Sequence, residues 1–198
     1  KEEKKISVKE CSVAELIGKA RKSGSCSVII EEDRATLAVE EGGELECAAA
    51  GGDIKDFADL LMDPQVEKYG YDLKQTKNHL VQMGMDLCGK FMDIELMHYL
   101  INPEKSHKVE ILAKTYLEIN LEESLPQPKE EAPLSLFDEV PEEDEHPERF
   151  AEASATLLLG IKIWEEMGAK DLRSLYDTIE EPLLKVLSDM EMEGVKID

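Results

Sequence analysis

Thiols, imidazoles and carboxylates are the side chains here that could carry chemistry, and their spacing narrows what that chemistry can be. The four cysteines, Cys11, Cys26, Cys47 and Cys88, lie far apart. No pair has the C-x-x-C spacing of a zinc or redox site, so they read as reduced, buried thiols of a cytosolic protein. The four histidines, His79, His98, His107 and His146, show no ligand spacing either. His107 is expected to make a local structural hydrogen bond. Carboxylates are abundant, and the run Glu31-Glu32-Asp33 sits beside Arg34 between two apolar segments, where solvated turn residues are expected. Tyr69, Tyr71 and Tyr99 could stack on bases but fit packing positions better.

The balance of charge bears on partners. With 45 Asp and Glu against 23 Lys and Arg, the formal net charge is −22. Such a field repels a phosphate backbone, and the basic residues are scattered rather than gathered in a stripe, so the chain alone should bind DNA weakly. Hydrophobic residues at 42% and charged residues at 34% exclude both wholesale disorder and a membrane-embedded protein. No apolar run approaches the ~20 residues of a spanning helix. The 198 residues allow one sizeable core, or one domain plus a piece of another, and the second is expected. Lys1-Glu2-Glu3-Lys4-Lys5 has neither an initiator Met nor an apolar signal core, so the chain reads as cut from something longer.

The elements that would position these residues can be read from their boundaries. Ser12 and Glu15 have capping-box spacing before a helix that runs to about Arg21 and ends near Gly24. Cys26 to Ile30, Ala35 to Val39 and Glu44 to Ala48 predict an antiparallel meander. Asp53 is a helix cap, Val66 to Tyr69 a short strand, and Leu73 to Val81 a helix stopped by Gly84. A strand at Leu87-Cys88, a helix capped by Asp93 and broken at Asn102-Pro103, and a helix from Val109 to Leu117 complete the first part. Between 122 and 149 lie five of the eight prolines together with acidic runs, which predicts an exposed loop. Helical periodicity returns from Phe150 to Met167 and again from Ala169. In the second helix Leu172, Leu175, Ile179, Leu183, Val186, Leu187 and Met190 are expected to face inward and Pro182 to kink the axis. The pattern is that of a mixed α/β sheet flanked by helices.

Two stretches resemble a known family. Tyr176 to Asp198, with Pro182, Leu183, Val186, Leu187, Met190-Glu191, Gly194-Val195 and Asp198, is similar to the start of the polymerase domain in bacterial DNA polymerase I (family A). Lys68-Tyr-Gly-Tyr-Asp-Leu-Lys74, Gly84-Met-Asp-Leu-Cys-Gly89, Phe91-Met-Asp93, Tyr99-Leu-Ile-Asn-Pro103, His107 and Leu112-Ala113-x-x-Tyr116-Leu117 resemble the middle of its 3′→5′ exonuclease domain, in the same order. The resemblance implies a ribonuclease-H-like (DnaQ-like) α/β fold. It places an exonuclease-like domain at 1–168, with 122–149 as its acidic loop, and the truncated first helix of a polymerase domain at 169–198.

Proofreading exonucleases of this class cleave a phosphodiester with two divalent metals, Mg2+ or Mn2+, ~3.5–4 Å apart, which need several carboxylate oxygens. The family takes these from an Asp-x-Glu strand, a Leu-Lys-Tyr-Asp helix start and a Tyr-x-x-x-Asp on the last helix. Here the first reads Ile29-Ile30-Glu31-Glu32-Asp33, with an Ile where the Asp belongs, and the second reads Leu73-Lys74-Gln75-Thr76, with Thr76 at the carboxylate. In the third, either Glu148 and Glu152 or Arg149 and Ala153 stand for Tyr and Asp. Glu31, Glu32, Thr76 and Glu152 are thus vestigial positions. No catalytic residue, metal or cofactor is expected, unless Asp33 or Asp72 acts as a substitute ligand. The resemblance implies a degenerate proofreading domain that scaffolds its own polymerase domain and meets DNA through the full-length enzyme. It implies a cytoplasmic, nucleoid-associated bacterial setting with no membrane partner. The alternative is a residually active metal-dependent 3′→5′ exonuclease.

Overall fold

The structure, a computed structural model, describes residues 4–124 and 147–194. Ser12 Oγ accepts from the Glu15 amide and the Glu15 carboxylate accepts from the Ser12 amide, so the expected capping box starts α1 (Val13–Ser23). The meander follows as β2 (Ser25–Glu31), β3 (Arg34–Glu40) and β4 (Glu46–Asp53), all antiparallel. Its third strand begins at Glu46 rather than Glu44, because Leu45 turns the chain at a φ of 62°. Preceding α1, β1 (Ser7–Glu10) pairs parallel with the far edge of β4. The sequence reading missed it because Ser7-Val-Lys-Glu10 is short and mostly exposed.

Asp53 caps a 3-10 turn (Ile54–Phe57) that leads into α2 (Ala58–Leu61). Next, β5 (Glu67–Gly70) pairs parallel with β2, α3 (Leu73–Gln82) crosses, and β6 (Phe91–Asp93) pairs parallel with β5. The strand order is β1-β4-β3-β2-β5-β6. Leu87-Cys88 is not the strand expected there. Gly89 passes so close to Val66, at a φ of 87°, that an added Cβ would stand 2.3 Å from the Val66 carbonyl oxygen, and pairing begins only at Phe91. Then come α4 (Ile94–Ile101), α5 (Val109–Leu112) with a π-turn over Ala113–Leu117, and α6 (Leu121–Ser124). Of the expected acidic loop, 125–146 lies outside the described residues. The chain resumes in α7 (Pro147–Ala169), which runs one residue past Gly168, and closes with α8 (Arg173–Leu175), a π-turn (Tyr176–Glu180) and α9 (Glu181–Glu193).

Strand alternation sorts the core into two layers. Val28, Leu37, Ala48 and Ala50 pack with Leu16 and Ala20 of α1, Leu73 and Leu80 of α3, and Leu184 of α9. Ala38 and Ala49 face the other way, onto Ala153 of α7, whose Leu157, Leu159 and Ile163 meet α4 and Tyr69. Small residues let α7 lie close: a Cβ at Gly160 would come within 2.1 Å of the Tyr69 ring.

The C-terminal segment corrects the expected inward stripe. Leu175, Ile179, Leu183, Val186, Leu187 and Met190 are exposed, while Tyr176, Glu181, Leu184 and Ser188 are buried. Leu175 is already exposed ahead of the π-turn, which adds one residue to a turn and so advances the following helix by about 100° relative to continuous α-periodicity. Pro182 consequently sits in the first turn of α9, where a missing amide costs nothing, rather than kinking a long helix. The buried face seals the open edge of β6. The Tyr176 hydroxyl donates to the Phe91 carbonyl (2.5 Å) and accepts from the Asp93 amide (3.0 Å), and Glu181 accepts from the Phe91 amide (3.1 Å). These side chains supply the partners that a further strand would have supplied.

Candidate functional site

A cleft of about 860 Å³ opens between the carboxyl half of β2, the start of α3 and the first turns of α7, with Ile29, Ile30, Tyr71, Thr76, Glu152 and Thr156 among its lining. Residues 106–110 form its opposite wall. The structure therefore brings together residues of all three motif segments, Ile29 and Ile30, Thr76, and Glu152. On β2 the alternation decides which residues look toward α7. Ser27 donates to the Ala153 carbonyl (2.7 Å), Ile29 packs against the cluster of Ala38, Ala49 and Ala153, and Glu31 is ion-paired to Arg149. Ile29 and Glu31 thus share the face turned to α7, with an alkyl group where a first carboxylate would be needed.

Thr76 is half-buried in the first turn of α3, its hydroxyl hydrogen-bonded back to the Asp72 carbonyl (3.4 Å). Asp72 caps that helix from a left-handed φ of 48°, its carboxylate accepting from the Gln75 amide. It lines a neighbouring groove beside Leu183 and Leu187, not the cleft. Asp33 and Glu32 are exposed in the β2–β3 turn and are not among the residues lining the cleft; the Glu32 carbonyl is bonded to His79 Nε2 (2.5 Å). Glu152 is half-buried on α7, and its carboxyl is pushed above its usual range by burial first and then by Glu31 and Glu110, with Arg149 opposing.

Four features of the site escaped the sequence reading. Arg149 reaches Glu31, although a residue one turn from Glu152 on the same helix face was a foreseeable neighbour. Tyr71 and Thr156 bury hydroxyls that have no hydrogen-bond partner among the described residues, and only the folded cleft reveals that both line one space. His107 Nδ1 lies 2.6 Å from His98 Nδ1, a pairing across nine positions that ligand spacing does not suggest. The expected local bond of His107 is thus to another imidazole. Tyr99, expected to pack, is 52% exposed. The thiols of Cys26 and Cys47 are buried and pushed up to about 12 by desolvation, whereas Cys11 and Cys88 are half-buried.

A pair of hard dications needs a dense set of oxygen ligands. Among the described residues no group of three or more His, Cys, Asp or Glu is placed to hold a metal ion. Of carboxylates the cleft holds Glu152 half-buried and Glu95 and Glu110 exposed, with Thr76 neutral and Ile29 apolar, while Glu31 lies outside its lining and is ion-paired to Arg149, so its residues do not fit a two-metal centre.

An antiparallel meander extended by two parallel strands on the β2 side, with a long helix across it and a cleft at the end of β2, is a ribonuclease H-like exonuclease fold. The solved structure titled "Brucella melitensis NrnC with bound Mg2+" superposes with a TM-score of 0.67 at 9% identity, over 96% of this chain and 95% of that one. The POL domain of Pol1 from M. smegmatis, in complex with DNA primer-template and dNTP, superposes at 0.70 and 19% identity over 98% of this chain and 33% of that one. Residues 47–124 match the family described as "DNA polymerase I, ribonuclease H-like domain". DNA polymerase I of Mycobacterium leprae is 30% identical over 161 residues, which are 79% of this chain and 17% of that protein. Together these matches support a bacterial DNA polymerase I exonuclease-like domain. It spans about a sixth of the length of the curated relatives it matches. No helix among the described residues is long and apolar enough to cross a membrane.

Proposed function

We propose that this domain has lost 3′→5′ hydrolysis and serves a bacterial DNA polymerase I as a scaffold for its polymerase domain. The observation that carries the reading is the lining of the cleft: the fold's core positions are filled, while Ile29 and Thr76 stand where charged metal ligands would be required. Neither Asp72, turned into the neighbouring groove, nor Asp33, in the exposed turn, supports a substitute ligand set. The scaffold role is supported by the two faces of the C-terminal segment. One is bonded into the β6 edge and α3; the other presents Leu175, Ile179, Leu183, Val186, Leu187 and Met190 to solvent, as a surface that more of a polymerase domain would cover. On this reading the exonuclease-like unit is 1–168 and the polymerase region starts at 169, in the cytoplasm. DNA would be met chiefly through the rest of the enzyme, since a chain of net charge −22 repels phosphates.

The test is degradation of 3′-labelled single-stranded DNA by the purified chain in 5–10 mM Mg2+ or ~1 mM Mn2+, concentrations chosen to fill any ordinary two-metal site. The expected result is no shortening above a metal-free control. Processive 3′→5′ shortening abolished by Glu31→Gln or Glu152→Gln would overturn the proposal.

A further inference from the structure

We propose that the cleft binds an organic cation of the alkyl-diamine class, with one ammonium group held by Glu152, Tyr71 and Thr156 and the methylene chain lying on Ile29 and Ile30. The inference rests on the reading of the cleft as a site without metal and names the cation that its residues fit instead.

Three polar groups of the cleft lack a partner within the chain. Thr156 is 1% exposed, and its Oγ1 has no hydrogen-bond partner among the described residues. The buried Tyr71 Oη has none there either, and both residues line the cleft. A buried hydroxyl without a partner is destabilising, so two in one space point to a group that satisfies them from outside the chain. Glu152 stands one helical turn before Thr156, on the same face of α7, half-buried and with no ion pair among the described residues. The partner that suits all three is a cationic donor. An ammonium group has three N–H donors and no acceptor, which matches one carboxylate and two hydroxyl oxygens. A hard dication is a poorer match, since no three His, Cys, Asp or Glu among the described residues are placed together for it.

The remaining lining sets the rest of the ligand. Val28, Ile29 and Ile30 form an apolar wall that a methylene chain covers and a bare ammonium ion does not. Glu95 and Glu110, both exposed, bring the lining to three carboxylates against Lys108 and the half-buried His107, which favours a second ammonium group. A nucleotide fits less well, because its phosphate would meet the same carboxylates.

The test is isothermal titration of diaminobutane into the natural chain and its variants at ~0.15 M salt, which screens exposed pairs, with methyl NMR of Ile29 and Ile30 locating the ligand. Glu152→Gln, Tyr71→Phe and Thr156→Val are each expected to weaken binding at least tenfold, the scale of one hydrogen bond to a charged group. Glu165→Gln, which removes an exposed carboxylate outside the cleft, should leave it within twofold. Thr156→Val should also unfold no earlier than the natural chain, since it deletes an unpartnered hydroxyl, and this parts a binding role from a structural one. Where that variant does not fold, Tyr71→Phe makes the comparison. Butylamine, with a single ammonium group, is expected to bind at least threefold more weakly. No binding, an equal loss in Glu165→Gln, unshifted Ile29 and Ile30 methyl signals, or equal affinity for butylamine would each overturn the proposal. Displacement of the diamine by equimolar Mn2+ would instead sink the underlying reading of a site without metal.

Discussion

His98 and His107 show how much one pair of side chains can report. Their Nδ1 atoms lie 2.6 Å apart, a separation that a single shared proton satisfies and two protons cannot. His98 is buried, and its pKa is lowered from 6.5 by burial first, then by His107 and Lys105, with Glu166 opposing; the Tyr116 ring packs edge-on against it. Because the folded value lies below the unfolded one, the unfolded chain takes up this proton first. The stability tied to His98 is therefore complete above about pH 6.5 and falls as pH drops through the window below it. Asp93 and Glu152, whose carboxyls are raised, Asp93 to about 6, act in the opposite sense as pH falls. Urea unfolding from pH 7.5 to 5 should therefore be compared between the natural chain and His98→Gln, which share those carboxyls. The expected outcome is a shallower fall in the variant, by at most ~1.4 kcal/mol per pH unit; identical slopes would show that His98 keeps its ordinary proton affinity.

At the scale of elements, the edge strand β6 depends on side chains that belong to no strand. Tyr176 Oη is both donor to the Phe91 carbonyl and acceptor from the Asp93 amide, in a fully buried position. Tyr176→Phe keeps the ring and leaves two buried backbone groups unsatisfied, and each costs about 1–3 kcal/mol. The expected loss is ~2–4 kcal/mol in equilibrium unfolding, allowing for partial relaxation, with hydrogen exchange of the Asp93 amide accelerated beyond the change in global stability. A loss under ~0.5 kcal/mol, the range of an ordinary surface change, would mean that the edge is not sealed in this way. Asp93 serves a second junction, accepting from the Leu73 amide (2.8 Å) and the Leu96 amide (3.0 Å), and so starts two helices at once. A sequence shows Asp93 as the cap of the helix that follows it. The bond to Leu73, 20 residues earlier, exists only because β6 runs parallel to β5.

Across the whole molecule, the C-terminal segment separates what stabilises this chain from what it offers to a partner. Leu184 is 8% exposed within the core beneath α9, and Leu187, one turn on, is 41% exposed. Leu184→Ala should cost ~2–5 kcal/mol by removing buried methyl groups and leaving a cavity, whereas Leu187→Ser should stay within ~0.5 kcal/mol in this chain. Thermal and urea unfolding of the two variants check this, and a large loss for Leu187→Ser would mean that the outward face is part of the core. The contrast marks where sequence reading stops. Caps, strand alternation, the meander and the family motifs are local, so Ser12 and Glu15, Asp53, Asp93 and the three strands of the meander were legible in the order of the residues. Likewise legible was the absence of charge at Thr76 and at the Ile29–Ile30 position, since residue type is a property of the sequence alone. What only the tertiary structure decided depends on contacts between distant segments: which of Ile29 and Ile30 faces α7, that Arg149 neutralises Glu31, and that β1 pairs with β4. The orientation of α9 is the sharpest case. Helical periodicity assigns its apolar stripe to the inside, but the bonds of Tyr176 and Glu181 to the β6 edge hold the opposite face inward.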